Sequence, residues 1–393
     1  MSSSSPEPTL AVATGILGNP TETGARRHLA MLFGGNTVAL AERRYPGFES
    51  PRPAFVLNEQ AGGPAAWLEQ ELGKAVQSRR FQSSGVPFGR RRAALEAFLR
   101  AHSVRAILGE FGHIGCNLAP IGQAAGIPVF TYFRGFDASK RLREPRILRR
   151  YRAAMPRLAG VFSVSQYLLD NLAQAGISHP NSIVIPTGVD TRAFAPGGKD
   201  PHLILAVGRI VAKKAPMITL KAFAEVSAAF PEHRLEVIGD GDMRGECEAW
   251  AAKSGLGGRV AFLGRRDHDF VRERLSRTAV FLQHSITAED GNTEGLPTAI
   301  QEAMASGCAV VSTRHAGIPE AVEEGRTGLL VDEFDCAGFT VALRRVLTSP
   351  EGTAEMGHVA REAAVERFDF LKLHARLEAT IRQTCRQLGV PSP

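Results

Sequence analysis

At 393 residues the chain exceeds one ordinary hydrophobic core and predicts two domains; its 44% of hydrophobic residues include no run near the ~20 that cross a bilayer, which excludes a helical membrane span. Its cysteines, Cys116, Cys247, Cys308, Cys336 and Cys385, are scattered with no C-x-x-C pair, which excludes a disulfide framework or zinc site and fits a reducing cytoplasm. The net charge of +7 is lopsided: residues 1–190 hold 22 Lys and Arg against 13 Asp and Glu, the remainder 25 against 27, so one half calls for an anionic partner.

Residues 1–8 (MSSSSPEP) are polar, lack the basic-then-apolar layout of a signal peptide, and read as a disordered tail. A strand is predicted at 9–17 (TLAVATGIL), then a loop in which Gly24 opens a helical pattern. Strands follow at NTVALA (36–41), PAFVL (53–57), VRAILGEF (104–111), IPVFTYF (127–133), GVFSVS (160–165) and SIVIP (182–186). Between them lie helical patterns over 66–101, 112–126, 144–158 and 166–175. This alternation predicts a parallel sheet with βαβ crossovers, an N-terminal Rossmann-like domain over 9–186. The basic excess clusters at Arg79–Arg80, Arg90–Arg92 and from Lys140 to Arg157. Anionic lipid or a lipid pyrophosphate suits it. Nucleic acid does not, because the clusters lack interleaved aromatics and no helix-turn-helix pattern is present.

The Pro- and Gly-rich stretch 187–200 reads as a linker. The alternation restarts in a second Rossmann-like domain over 201–367. Its strands are expected at 202–208, 234–239, 259–264, 279–284, 308–312 and 327–331. Its helices are expected at 216–229, 243–254, 268–277, 319–324, 336–348 and 352–366. Residues 368–393 form an amphipathic helix and tail. Two such halves predict a cleft, with ligand outside the carboxyl ends of the strands.

The densest chemistry lies at 289–313, EDGNTEGLPTAIQEAMASGCAVVST. Pro297 suits the first helical position, which has no N–H to lose, and Gly307 suits a left-handed residue just past the helix end. Glu294 lies on the loop before the helix and Glu302 in its second turn. Between them, the backbone N–H groups of Gly295 and Leu296 can face an anion. A loop acid, an anion cradle and a helical acid suit a ligand with hydroxyls at both ends and phosphate between, such as a nucleotide-sugar.

With VGRIVAKKAP (207–216), VIGDGDMR (237–244), RVAFLG (259–264), EGLPTAIQEAMASGCAVVST (294–313) and AGIPEAVEEGRTGLLV (316–331), the chain resembles the retaining glycosyltransferases of family four. The match is dense over about 200–331; GFD at 135–137 and VIPTGVDTRAF at 184–194 extend it. The resemblance implies the α/β GT-B fold, two Rossmann-like domains with parallel sheets facing across a cleft. It also implies a C-terminal helix crossing back to the N-domain, anchored by Phe368, Phe370 and Leu371. The implied reaction moves a hexose-type sugar from a nucleotide-diphosphate sugar to a hydroxyl, keeping the anomeric configuration. Glu294 would contact the donor sugar and Glu302 the ribose. Arg209 and Lys214 would hold the diphosphate, where fixed cations stabilise the charge that develops on departure. Gly208, Gly295, Leu296, Pro297, Thr298 and Gly24 would complete the donor site. No metal or other cofactor is implied. Asp240 with Asp242, and Asp267 with Asp269, imitate a metal-binding D-x-D motif but read as turn and cap residues.

One segment departs from the family pattern. Arg134 stands where a His is usual in H-G-x-D, and arginine cannot act as a base near neutrality. In this family the leaving phosphate is thought to take the acceptor proton, so Arg134 would bind that phosphate or an anionic acceptor. A pair with Asp137 or another neighbour is its structural alternative. Glu294, Arg209, Lys214 and Arg134 are thus the expected catalytic residues. Glu110, His113, Asp137, Thr21 and Glu22, with Asn19, are the expected acceptor contacts.

The sub-pattern EGLP…STRHAGIPE is most like exopolysaccharide and glycolipid transferases, which implies a sugar or lipid-linked acceptor. A cytoplasmic protein is expected, with peripheral contact to an anionic inner membrane face through the basic half. Two alternatives stay open, a transferase acting on a soluble small molecule and a non-catalytic nucleotide-sugar-binding partner. Slow hydrolysis of a nucleotide-sugar would separate them from each other.

Overall fold

The computed structural model describes residues 9–20, 22–60 and 64–393; the expected N-terminal tail and Thr21 lie outside the described residues. The chain forms two compact units, Met1–Ile185 with His374–Pro393, and Pro186–Leu373.

The first unit is built on a seven-stranded parallel sheet of order β3-β2-β1-β4-β5-β6-β7. Its strands are β1 (Thr9–Leu17), β2 (Thr37–Arg44), β3 (Ala54–Val56), β4 (Val104–Gly109), β5 (Val129–Phe133), β6 (Gly160–Ser163) and β7 (Ser182–Val184). Helices α1 (Thr23–Met31), α2 (Pro64–Phe81), α3 (Gly89–Ala101), α4 (Gly112–Ala125), α5 (Pro145–Ala154) and α6 (Gln166–Gln174) alternate with them. Parallel strands are covered on both faces, so they read as apolar runs rather than alternating ones. The inner strand β5 accordingly buries every residue of VFTYF. Helix α4 can approach β4 closely because both present glycine: a Cβ on Gly109 would lie 2.5 Å from the Gly115 nitrogen.

The second unit has a six-stranded parallel sheet of order β10-β9-β8-β11-β12-β13. Its strands are β8 (Asp200–Val207), β9 (Arg234–Ile238), β10 (Val260–Gly264), β11 (Thr278–Gln283), β12 (Ala309–Thr313) and β13 (Gly328–Val331). Helices α7 (Pro216–Ser227), α8 (Arg244–Lys253), α9 (His268–Arg277), α10 (Thr298–Ala305), α11 (Ile318–Ala321), α12 (Cys336–Thr348) and α13 (Pro350–Arg367) complete it. Ile204, Phe223, Leu235, Val280, Leu282, Val311, Phe339 and Leu343 fill its core. Asp267 caps α9 by accepting the Phe270 N–H at 2.8 Å, and Asp335 caps α12 through Gly338 N at 2.8 Å.

The stretch 186–199 is tied to the second unit. Gly188 N donates to Gln301 Oε1 at 3.1 Å, Val189 N to Phe368 O at 2.8 Å, and Lys199 Nζ to Thr278 O and Ser306 O at 2.6 Å each. The last helix, α14 (Phe370–Gln387), starts in the second unit and continues in the first. Phe368 and Phe370 are buried where the helix begins, as expected of anchors, whereas Leu371 is 41% exposed. In the first unit α14 is held by Glu378, whose Oε1 accepts the Phe33 N–H at 2.7 Å, and by Thr384, whose hydroxyl takes Asn181 Nδ2 at 3.1 Å.

Candidate functional site

In the second unit the strand order reverses between β8 and β11, and such a switch point opens a crevice at the carboxyl ends of the strands. After β8 the chain runs through Gly208 and Arg209 into a 3-10 turn, Ala212–Lys214, before Pro216 opens α7. The backbones here cross tightly. A Cβ on Gly239, at the end of β9, would sit 1.8 Å from Gly208 O. Gly208, Arg209, Lys214, Thr219 and Gln283 line one depression at this switch point.

Glu294 reaches the same place from the loop before α10. It is buried, with Lys214 Nζ at 3.3 Å and Lys213 Nζ at 3.4 Å from Oε1. Burial pushes its carboxyl up, but Lys214 and Lys213 outweigh burial and hold it down at about 2. Burial pulls Lys214 down, with Glu294 acting against that. Lys213 also donates to Thr293 O at 3.2 Å, so it grips the loop as well as the carboxylate. An ionised carboxylate between fixed ammonium groups can accept hydroxyl hydrogen bonds while the cations receive phosphate oxygens.

Pro297 precedes α10 as its cap, with φ −60° and ψ 125°, so the helix opens at Thr298, one residue later than expected. Gly307 ends it with φ +73°, as its sequence position predicts. Gly295, Leu296 and Pro297 are buried and Thr298 is half-buried. Glu302, in the second turn, is 7% exposed and has His268 Nε2 at 3.4 Å.

In the first unit, Glu110 follows β4 at the corresponding reversal between β1 and β4. It is fully buried. Its Oε1 lies 2.6 Å from His28 Nδ1, and its Oε2 accepts from Arg134 Nε at 3.0 Å. Burial raises this carboxyl, and Arg134 and His28 overcome that to hold it at about 2. The Arg134 guanidinium lies 4.1 Å from the Tyr132 ring centre, a cation–π contact.

Asp137 is also fully buried and accepts the N–H groups of Gly112 (2.9 Å), Arg134 (3.0 Å) and Gly135 (2.9 Å). Two of the three carboxylates expected to meet acceptor are therefore internal ties, Glu110 to Arg134 and His28, and Asp137 to the backbone N–H groups around it. His113 is half-buried against Phe111, with ring centres 6.0 Å apart. Burial, with Arg141 and Arg150, pushes it down to about 4, so it is neutral. Glu22 accepts from Thr14 Oγ1 at 2.5 Å and Asn19 Nδ2 at 2.9 Å, and Gly24 is buried in the first turn of α1.

The sequence pattern did not single out Lys213, His315, Glu333 or His268 as site neighbours. Lys213 is the middle residue of Ala212-Lys213-Lys214, next to Lys214; the other three are brought in by folding from 18 to 34 residues away.

Residues 64–193 match the family described as Glycosyltransferase Family 4, and residues 190–363 match Glycosyl transferases group 1. WcaL of Salmonella typhimurium, provisionally assigned to colanic acid biosynthesis as a glycosyltransferase, is 29% identical over 283 residues, 70% of this chain and 69% of that protein. AmsK of Erwinia amylovora, an amylovoran biosynthesis glycosyltransferase, is 30% identical over 224 residues, 55% of this chain and 54% of its own length. The solved structure of Anabaena Alr3699/HepE in complex with UDP aligns with a TM-score of 0.75 at 18% identity, covering 96% of this chain and 100% of that one; the likeness is one of fold.

Proposed function

We propose that this chain, which belongs to family four of the glycosyltransferases and has their GT-B pair of Rossmann-like domains, transfers a hexose-type sugar from a nucleotide-diphosphate sugar to a hydroxyl, with retention. The observation that carries the reading is the Glu294 carboxylate held ionised between Lys213 and Lys214 at the β8–β11 switch point. In this reading Glu294 receives the hydroxyls of the donor sugar and Glu302 those of the ribose. Arg209 and Lys214 meet the diphosphate and stabilise the charge that grows on it as the glycosidic bond breaks. The departing phosphate takes the acceptor proton, so no protein nucleophile and no divalent metal is assigned. Arg134, fixed by Glu110, presents a cation rather than a base.

The acceptor we assign is a growing exported polysaccharide or a glycolipid, supported by the names of the relatives and by the charge of the first unit. Among the described residues no helix is long and apolar enough to cross a membrane. Contact with an anionic membrane is therefore assigned to a surface. On α2, Leu68, Leu72 and Val76 are 55%, 59% and 47% exposed at i, i+4, i+8 spacing, which puts them on one face. The helix ends at Phe81, with the guanidinium carbons of Arg80 and Arg157 5.1 Å and 5.6 Å from its ring centre.

The test is a thermal-shift and turnover panel of UDP-glucose, UDP-galactose, UDP-N-acetylglucosamine and GDP-mannose with their parent diphosphates. Binding to the native state raises apparent stability by mass action. At least one sugar nucleotide is expected to stabilise the protein and to be slowly hydrolysed. Stabilisation without turnover of any donor would instead favour a binding partner, and no stabilisation by any compound would refute the donor site.

A further inference from the structure

We infer that the turn His315–Ala316–Gly317, at the carboxyl end of β12, is the template that places Glu294, and that His315 and Glu333 are positioning residues for contact with the donor sugar; this rests on the donor-site reading above. The turn grips the Glu294 loop at two backbone points. Glu294 N donates to His315 Nε2 at 3.0 Å, and Gly317 N donates to Gly295 O at 3.0 Å.

An imidazole nitrogen that accepts an N–H must be unprotonated, so the proton of the neutral ring sits on Nδ1. That nitrogen lies 2.6 Å from Glu333 Oε1, which selects this tautomer. Glu333 is itself oriented, because its Oε2 accepts the Thr287 N–H at 2.7 Å. The ring of His315 is fully buried, so it cannot turn away to solvent. Ala316 takes φ +49°, a conformation that costs an L-residue energy and that the two clamp contacts on either side of it hold in place.

The side chain of Glu294 must lie between two ammonium groups, and a loop shift near 1 Å would break that placement. His315 thus acts through Glu294 and touches no reacting atom.

The experiment is calorimetric titration of the wild type, His315→Ala, His315→Gln and Glu333→Ala with UDP-glucose, UDP-galactose, UDP-N-acetylglucosamine, GDP-mannose, UDP and GDP. The quantity read is the ratio of sugar-nucleotide affinity to diphosphate affinity. A wild type that binds none of the six overturns the donor reading and this inference with it. With a donor found, His315→Ala is expected to lower the ratio by about tenfold, and Glu333→Ala by about threefold. His315→Gln, whose amide oxygen can accept the Glu294 N–H, should recover most of the loss. Because His315→Ala empties a fully buried site, Glu333→Ala keeps the test open: its carboxyl is 26% exposed and its removal leaves the core filled. A ratio unchanged in Glu333→Ala and His315→Ala, or equal losses for diphosphate and sugar nucleotide, assigns the turn a purely structural role and overturns the inference.

Discussion

Arg134 lies against Glu110, Nε to Oε2 at 3.0 Å, and Glu110 has no exposed surface at all. A buried carboxylate that loses one cation is left with an uncompensated charge, which destabilises by about 3 kcal/mol or more. Arg134→Ala is therefore expected to lower stability in urea unfolding as well as turnover. Adding Glu110→Gln removes the stranded charge and should restore most of the stability but not the turnover. An Arg134→Ala protein as stable as the wild type would show that His28 alone suffices for Glu110. Unchanged turnover would return Arg134 to a structural role.

Acid should weaken the protein in two stages. Burial holds His113 and His284 down at about 4 and His374 at about 3, against an ordinary 6.5. Below pH 6.5 the unfolded chain takes up protons that the folded one refuses, so stability falls as pH drops. The second stage belongs to Glu110 and Glu294. Both are held at about 2 against 4.5, so the stability they lend is present above 4.5 and lost towards 2. Each accounts for an effect on the order of 3 kcal/mol. Urea midpoints measured from pH 8 to 4 should decline from near 6.5. His374→Gln should flatten part of that first decline; a midpoint flat between pH 7 and 5 would contradict it.

The elements were legible because parallel strands and their crossovers write themselves as apolar runs stopped by Gly and Pro. Glu294, Lys214 and Arg209 were legible for a different reason, since they belong to an ordered set of short motifs. What stayed hidden depends on long-range placement. Nothing in G-E-F marks Glu110 as buried, because its partner His28 lies 82 residues away and joins it only when β1 and β4 pair. His315 was hidden by the turn at Ala316, whose φ of +49° no alanine announces. Leu371 is as apolar as its neighbour Phe370, and only the start of α14, which turns Phe370 inward and Leu371 out, tells the two apart.

Glu294 and Glu302 should separate by ligand. Glu294→Ala is expected to lose most of the preference for a sugar nucleotide over its diphosphate. The freed Lys213 and Lys214 keep or improve affinity for the diphosphate alone. Glu302→Ala, on α10 beside His268, should weaken both ligands by a similar factor of about ten. Titrations with matched pairs such as UDP and UDP-glucose give both numbers. Identical profiles for the two variants would mean that the acids are assigned wrongly.

The ridge of Leu68, Leu72 and Val76 on α2 gives the proposed membrane contact a residue-level test. Apolar side chains in line on one helix face enter the headgroup boundary, and arginines near its end add about 1 kcal/mol each against anionic lipid. Arg80 and Arg157 flank Phe81 at the end of this ridge, so apolar and basic contributions would act on the same lipid surface. Co-sedimentation with phosphatidylglycerol vesicles is expected, weaker with phosphatidylcholine and weakened by salt, which screens the arginines. The double change Leu68→Ser and Leu72→Ser should remove binding even at low salt, and Arg80→Glu should remove the preference for anionic lipid. Neither should alter hydrolysis of a sugar nucleotide in solution, since α2 contributes none of the residues assigned to the donor site or to catalysis. Binding that survives both changes would place the membrane contact elsewhere on the basic half.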